Sequence, residues 1–416
     1  MDSTAVRKER LERLLGLAQA YRGWSRKKLS KALGRAPTKI VPGSGVPKLD
    51  LVVELADALD WPVSEVVAAI WEDDLAAPDT GETRDFESLD DAARRAHRSG
   101  EYRQMIHLAR QAFAEATTPD QRARACNREA GGWDGLGRYT NVLQAVRRGT
   151  QDPGVAPELR RMLQVNLANA YYTLWELVES ESISQQLIHH YEAHPPGTSR
   201  DRKTQAFAHY VSGHTYRRLI SIEPQRSREL AGLARQRLKL ACDLYGGLSA
   251  ELDDESLEGI ANTCSGGIVE AEVELGRRNA ADALDHLSKG LDDVPGPADA
   301  LVGDCLESYG WRCIFACNIA LRHVSDEHDL QQYLAVFSNK AQEIADRIDN
   351  WTIRERIFSL QYTCWKRAAS SSGFDIPYVL DTDDVRVITG AMGRFPNFRE
   401  TGWRILRCSR VVNGGH

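Results

Sequence analysis

SGEYRQMIHLARQAF, residues 99–113, holds Gly100 near its start and then sets Tyr102, Ile106, Ala109 and Ala112 at helical spacing. That pattern predicts an amphipathic helix entered from a tight turn. It returns in GLGRYTNVLQAV (135–146), with Gly137, Tyr139 and Val142, and in ELGRRNAADALDHLSKGL (274–291), with Gly276, Ala280, Ala283 and Leu287. Gly100 and Gly137 are 37 residues apart, and Gly137 and Gly276 are 139 apart, close to four repeats of about 35. Small residues at such turns let paired helices approach, and each hairpin leaves apolar surface that only its neighbour covers. A stacked array of about seven hairpins over residues 89–416 is therefore predicted. No segment alternates with period two, so no sheet is expected and the fold class is all-α.

Outward from these hairpins the chain is punctuated by TTPDQ near Pro119, DPGVAP at 152–157, HPPGTSRD at 194–201, DDVPGPAD at 292–299 and SSSGFDIP at 370–377. Upstream, DDLAAPDTGETRDFES (73–88) is acidic, holds Pro78 and Gly81 and lacks an apolar period, so residues 74–88 read as a linker. The 416 residues exceed what one hydrophobic core covers. With 42% hydrophobic and 27% charged residues, the composition is that of a folded chain.

Residues 1–73 read as a separate small domain. Leu11, Leu14, Leu15, Ala18 and Tyr21 define a first helix to about Arg22, ended by Gly23. Ser25 caps a second, Arg26–Leu33, which Gly34 stops; Pro37 starts a very short third, to about Val41. Leu49, Val52, Val53, Ala56 and Leu59 mark a fourth, and Ser64 opens a fifth through Trp71. Charge is divided unevenly. Residues 1–50 hold twelve Lys/Arg against four Asp/Glu, a local +8, while the whole chain is −6, which leaves −14 for the remainder. A basic head on an acidic body is the asymmetry expected when only the head meets a polyanion.

WSRKKLSKALG (24–34) followed by GVPKLDLVVELADALDWPVSEVV (45–67) resembles the lambda-repressor-like (XRE) helix-turn-helix family. The resemblance covers nearly all of residues 10–71. It implies that the second helix lies across the DNA backbone and that the third enters the major groove. Carried over by position, it sets Arg26 toward the phosphates with Lys27 and Lys28 beside it, and Thr38 and Lys39 where base edges or nearby phosphates are read; Arg35 joins them as a DNA-binding residue. The chain departs from the family pattern at Pro37, where a polar residue is usual, and in a shortened stretch from Ile40 to Pro47.

The hairpins are similar to TPR repeats, and an XRE-type head on a TPR-like body resembles the peptide-sensing transcription regulators of bacteria and their phages. That resemblance implies a homodimer that binds double-stranded DNA and takes a peptide or protein segment in the concave face of the array, while the charged N-terminus and the lack of a long apolar run predict a cytoplasmic protein. Asparagine amides offer both donor and acceptor to a peptide backbone. Asn127, Asn166 and Asn169 lie on predicted first helices of hairpins, and Asn166 and Asn169 share a helix face. The alternative is a TPR adaptor in a signalling or phage-defence complex, whose shortened head no longer reads DNA sequence.

Motifs of catalysis are not seen: neither GxGxxG after a strand, nor GxxxxGK[ST], HExxH or GxSxG. GGWDGLG (131–137) has no strand before it and no Lys, and reads as a hairpin turn. Cys313 and Cys317 share a helical face, with Cys305 and His323 nearby, but read as core residues rather than zinc ligands. Trp311 and the other body tryptophans read as packing between hairpins. The chain is not expected to be an enzyme, and no cofactor, metal or membrane segment is predicted.

Overall fold

Leu11, Leu14, Leu15 and Ala18 line one side of the first helix, α1 (Ser3–Arg22), and all are buried in a computed structural model of the chain. The structure describes residues 3–44, 46–61, 63–71, 85–292, 294, 301–372 and 378–412. Ser25 caps α2 (Arg26–Ala32) by accepting the Lys28 amide at 3.2 Å, and Gly34 follows it at φ +61°. A single 3-10 turn, Pro37–Lys39, stands where the third helix was predicted; the buried Ile40 pins it to the core. α3 (Leu49–Leu59) and α4 (Val63–Trp71) complete the head core. Arg22 closes the end of α3, donating to the carbonyls of Ala58 at 2.8 Å and Asp57 at 2.9 Å.

The predicted linker at 74–88 falls largely outside the described residues. Its last residues already belong to the body, because Asp85 caps α5 (Phe86–Arg98) by accepting the Ser88 amide. Hairpins follow in series: α5 with α6 (Tyr102–Glu115), α7 (Pro119–Gly135) with α8 (Tyr139–Thr150), and α9 (Pro157–Thr173) with α10 (Leu177–Ala193). They continue as α11 (Ser199–Ile222) with α12 (Ser227–Leu252), α13 (Glu255–Glu274) with α14 (Ala280–Asp292), and α15 (Gly303–His323) with α16 (Glu327–Ile348); α17 (Trp351–Ser372) stands alone.

Six hairpins and a lone helix thus replace the predicted seven among the described residues. The 139 residues from Gly137 to Gly276 hold three repeats, with turns at Trp175 and Glu223 between, because α11 and α12 run to 24 and 26 residues. Gly100, Gly137 and Gly276 all sit in the left-handed region, at φ +72°, +64° and +68°. The residue after each returns its amide to the helix just ended, Glu101 to Ala96, Arg138 to Trp133 and Arg277 to Glu272. GGWDGLG is mostly helix: α7 continues through Gly135, and its glycines admit the neighbouring α6. A Cβ on Gly132 would lie 2.6 Å from Ile106, and one on Gly135 2.5 Å from the Tyr102 ring.

After α17 come β1 (Tyr378–Leu380), α18 (Thr382–Arg394), α19 (Phe398–Cys408) and β2 (Ser409–Val411). β1 and β2 pair in parallel, Tyr378 opposite Ser409. Three residues per strand are too few for a period-two signal, which is why no sheet was expected. By its contacts the chain divides into Met1–Glu82 together with Ile376–His416, and Thr83–Asp375. The sequence reading ran the array to residue 416, whereas the last segment packs with the head, α18 against α1.

Within the body, the first hairpin meets the sixth. The turn at Gly100 approaches the start of α15, so that a Cβ there would lie 3.1 Å from the Gly303 nitrogen. Gly276 adopts the same backbone conformation with nothing within 4 Å of such a Cβ. Replacing either glycine by Ala costs the left-handed penalty of about 1–2 kcal/mol. Gly100→Ala should cost about 1–3 kcal/mol more, from overpacking at the closing contact. Denaturant melts of Gly100→Ala and Gly276→Ala check this; equal losses would mean that the contact with α15 bears no load.

Candidate functional site

The first helices of the hairpins, α5, α7, α9, α11, α13 and α15, surround a cavity of about 600 Å³. That is within the range of small-ligand sites. All three asparagines singled out in the sequence line it. They are already tied to one another and to the wall: Asn166 Nδ2 donates to Asn127 Oδ1 at 2.6 Å, and Asn169 Nδ2 donates to Asp134 Oδ1 at 3.1 Å. Each bond joins α9 to α7, which leaves Asn166 Oδ1 as an acceptor and Asn127 Nδ2 as a donor on the lining.

Sequence reasoning missed the cavity's carboxylates. Asp134 closes α7, and Asp304 and Glu307 lie one turn apart at the start of α15. Burial pushes all three carboxyls up: Asp134 to about 6, Glu307 to about 8, and Asp304 in the same direction. After burial, the charges of Asp304 and Asp134 raise Glu307 further. Their hydrogen-bond partners are mostly neutral. Tyr139 and Asn169 serve Asp134, while the Trp311 indole, at 2.8 Å, and Asn350 serve Glu307. Asp304 has the His97 Nε2 at 4.0 Å; the Tyr102 hydroxyl, wholly buried, approaches it without closing a bond of ordinary length.

Cations stand elsewhere on the lining and are largely engaged. Arg98 and Lys203 reach Asp254 at 3.4 and 3.3 Å, and Arg128 reaches Asp90 at 2.9 Å. Glu307 and Asp304 gave no sequence signal, since single acids in separate repeats become neighbours of Asp134 only when the array closes.

In the head, Arg26, Lys27, Lys28, Thr38 and Lys39 are exposed and Arg35 is half-buried. α2 and the 3-10 turn pack together over Leu29, Leu33 and Ile40, so these residues decorate one small substructure. Two of the six are held in ion pairs: Arg26 with Glu12, at 3.1 and 3.2 Å, and Arg35 with Asp50. Lys28 Nζ lies 5.6 Å from the Trp24 ring centre. Cys313 and Cys317 are buried in the core around α15. No helix among the described residues is long and apolar enough to cross a membrane.

No protein-family model matches the chain, and no curated protein does. Among solved structures it is similar to the crystal structure of Bacillus thuringiensis PlcR in complex with the peptide PapR7 and DNA. That likeness has 14% identity and a TM-score of 0.37, covering 67% of this chain and 92% of that chain.

A carboxyl that is harder to ionise when folded holds its proton longer than in the unfolded chain. Its stability contribution is complete below the unfolded value and is lost as pH rises through the folded one. For Glu307 that window runs from 4.5 to about 8. At about 1.4 kcal/mol per pKa unit, lessened by solvent in the cavity, the loss reaches a few kcal/mol. Glu307→Gln should therefore melt like the parent near pH 4.5 and several degrees higher at pH 8. A variant that melts lower at pH 8 would show that the carboxylate is already compensated.

Proposed function

We propose that the chain is a DNA-binding transcriptional regulator whose TPR-like body dimerises and senses a peptide or protein segment in its central cavity. The observation that carries this reading is the pairing, within one chain, of an exposed basic α2 with a cavity walled by unlike polar groups. Arg26, Lys27, Lys28 and Lys39 give the head the charge for phosphate contact. Asn127 and Asn166 offer the lining an amide donor and acceptor suited to a peptide backbone. A ligand acts only through a difference in affinity between two arrangements, and about 1–3 kcal/mol of coupling changes DNA affinity by roughly 5- to 150-fold. The cavity draws on every hairpin but the last helix's, so occupancy bears on the pitch of the whole array.

The adaptor reading rests on one specific observation. The recognition element is a single 3-10 turn, and Arg26 and Arg35 are held by Glu12 and Asp50. Base readout then has few residues to use, while Lys27 and Lys28 are enough for phosphates.

A gel shift with the DNA upstream of the protein's own gene, at several salt concentrations, separates the two readings. Under the regulator reading, log affinity falls linearly with log salt, and replacing Lys27 and Lys28 together by Ala flattens the slope by about two. Light scattering should give twice the chain mass, since paired half-sites require a two-fold assembly. A monomer that does not bind the duplex supports the adaptor.

A further inference from the structure

We infer that the cavity takes a ligand through an organic cation, an ammonium or guanidinium, seated among Asp134, Asp304 and Glu307. This deepens the reading of the cavity as a peptide site and rests on it.

Five buried acids elsewhere in the body are held by cations. Asp90 on α5 is held by Arg124 and Arg128 from α7, at 2.7 and 2.9 Å. Glu129 is held by Arg110 and Arg148, and Asp201 by Arg161 at 3.1 Å. Glu270, the most buried of them, is held by Arg217 at 2.9 Å and by Arg322. Even Asp254, on the cavity wall, has Arg98 and Lys203. An ion taken out of water requires an opposite charge or a full set of hydrogen bonds, and for these five the fold supplies an arginine.

Asp134, Asp304 and Glu307 break that pattern. Their hydrogen-bond partners are amides, a phenol and an indole, and the His97 imidazole stands 4.0 Å from Asp304. All three open onto the cavity, where Asp254 alone of the paired acids also stands. A second observation points the same way. The Tyr102 hydroxyl is buried to 3% residual exposure and unpaired, and it lies against Asp304 and near Glu307 and Asp134. A phenol left unsatisfied beside three carboxylates completes a half-built polar nest, with acceptors for several N–H donors.

The occupant's chemistry follows from the spacing. Among the described residues no three His, Cys, Asp or Glu groups are gathered closely enough to hold a metal ion. Acids spread over α7 and α15 suit instead a cation that carries several donors on a larger frame. The aromatic walls, Tyr172, Phe207, Tyr210 and Trp311, suit the stem of such a group and add cation–π attraction. A peptide can supply this charge from its amino terminus or from a Lys or Arg side chain.

The test uses the full-length protein without DNA, so that its outcome is independent of whether the head binds a duplex. Five probes are titrated calorimetrically at millimolar concentration: the alanine tripeptide amide with a free amino terminus, its N-acetylated form, and acetylated forms with Lys, Arg or Glu in the middle. At least one cationic probe should bind about tenfold or more tightly than the neutral acetylated peptide. Which of the three does so identifies the source of the charge. Asp304→Asn and Glu307→Gln are isosteric and remove an unfavourable charge, so both should fold; melting curves confirm it. Each should erase the preference for the cation, whereas Asp285→Asn, on the exposed face of α14, should leave it intact. Absence of binding by every cationic probe, a preference for the Glu peptide, or a preference that survives in both cavity variants would overturn the assignment. A normal duplex shift alongside any of these results would leave the DNA-binding reading standing.

Discussion

The backbone of the Gly100 turn lies against the amide of Gly303, and the character of the body follows from that approach. Both residues hold positive φ, and neither has a side chain to keep the strands of backbone apart. Because α15 begins at Gly303, the contact delivers Asp304 to His97 and Tyr102 and brings Glu307 into the interior one turn later. The same closure repeats nearby. Gly137 faces Trp351 and Thr352 at the start of α17, and Arg103 reaches Asp349 at 3.3 Å. An open solenoid exposes its concave face as a groove; here that face has become the lining of a cavity.

Two electrostatic regimes coexist in this body. Between successive hairpins, buried carboxylates are clamped by arginines: α5 to α7 through Asp90, α9 to α11 through Asp201, and α11 to α13 and α15 through Glu270. Such pairs add little net stability over an apolar core, but removal of one partner strands a charge, so they fix which helix faces meet. On the cavity, Asp134 and Glu307 are left to neutral donors, and their ionisation is held back by burial. The first regime gives the scaffold its registry.

Much of the scaffold was legible in the sequence because local rules govern it. Ser25, Gly34, Gly100, Gly137 and Gly276 each perform the turn or cap their residue type suits. Trp175 obscured the repeat. It occupies the turn position at φ +66°, which a large residue rarely adopts, and its ring is covered by the Arg218 and Arg356 guanidiniums at 4.6 and 5.2 Å. With that turn hidden and α11 and α12 lengthened, the repeat count came out one too many. The glycines of 131–137 misled in another way, since they serve helix contact rather than chain reversal. The asparagines were legible only as residues of first helices, Asn166 and Asn169 on one face, and all three stand on the lining. Asp134, Asp304 and Glu307 were not legible, because their neighbourhood is a property of closure and of no local stretch.

The return of the last segment to the head has a topological consequence. The body is an insertion: the chain leaves the first unit after Glu82 and re-enters it at Ile376. Residues 1–73 are accordingly not the whole of their unit, for α18 packs on α1 and Arg386 is near enough to bear on the charge around Tyr21. A fragment that stops at residue 73 therefore leaves the α18 side of α1 uncovered.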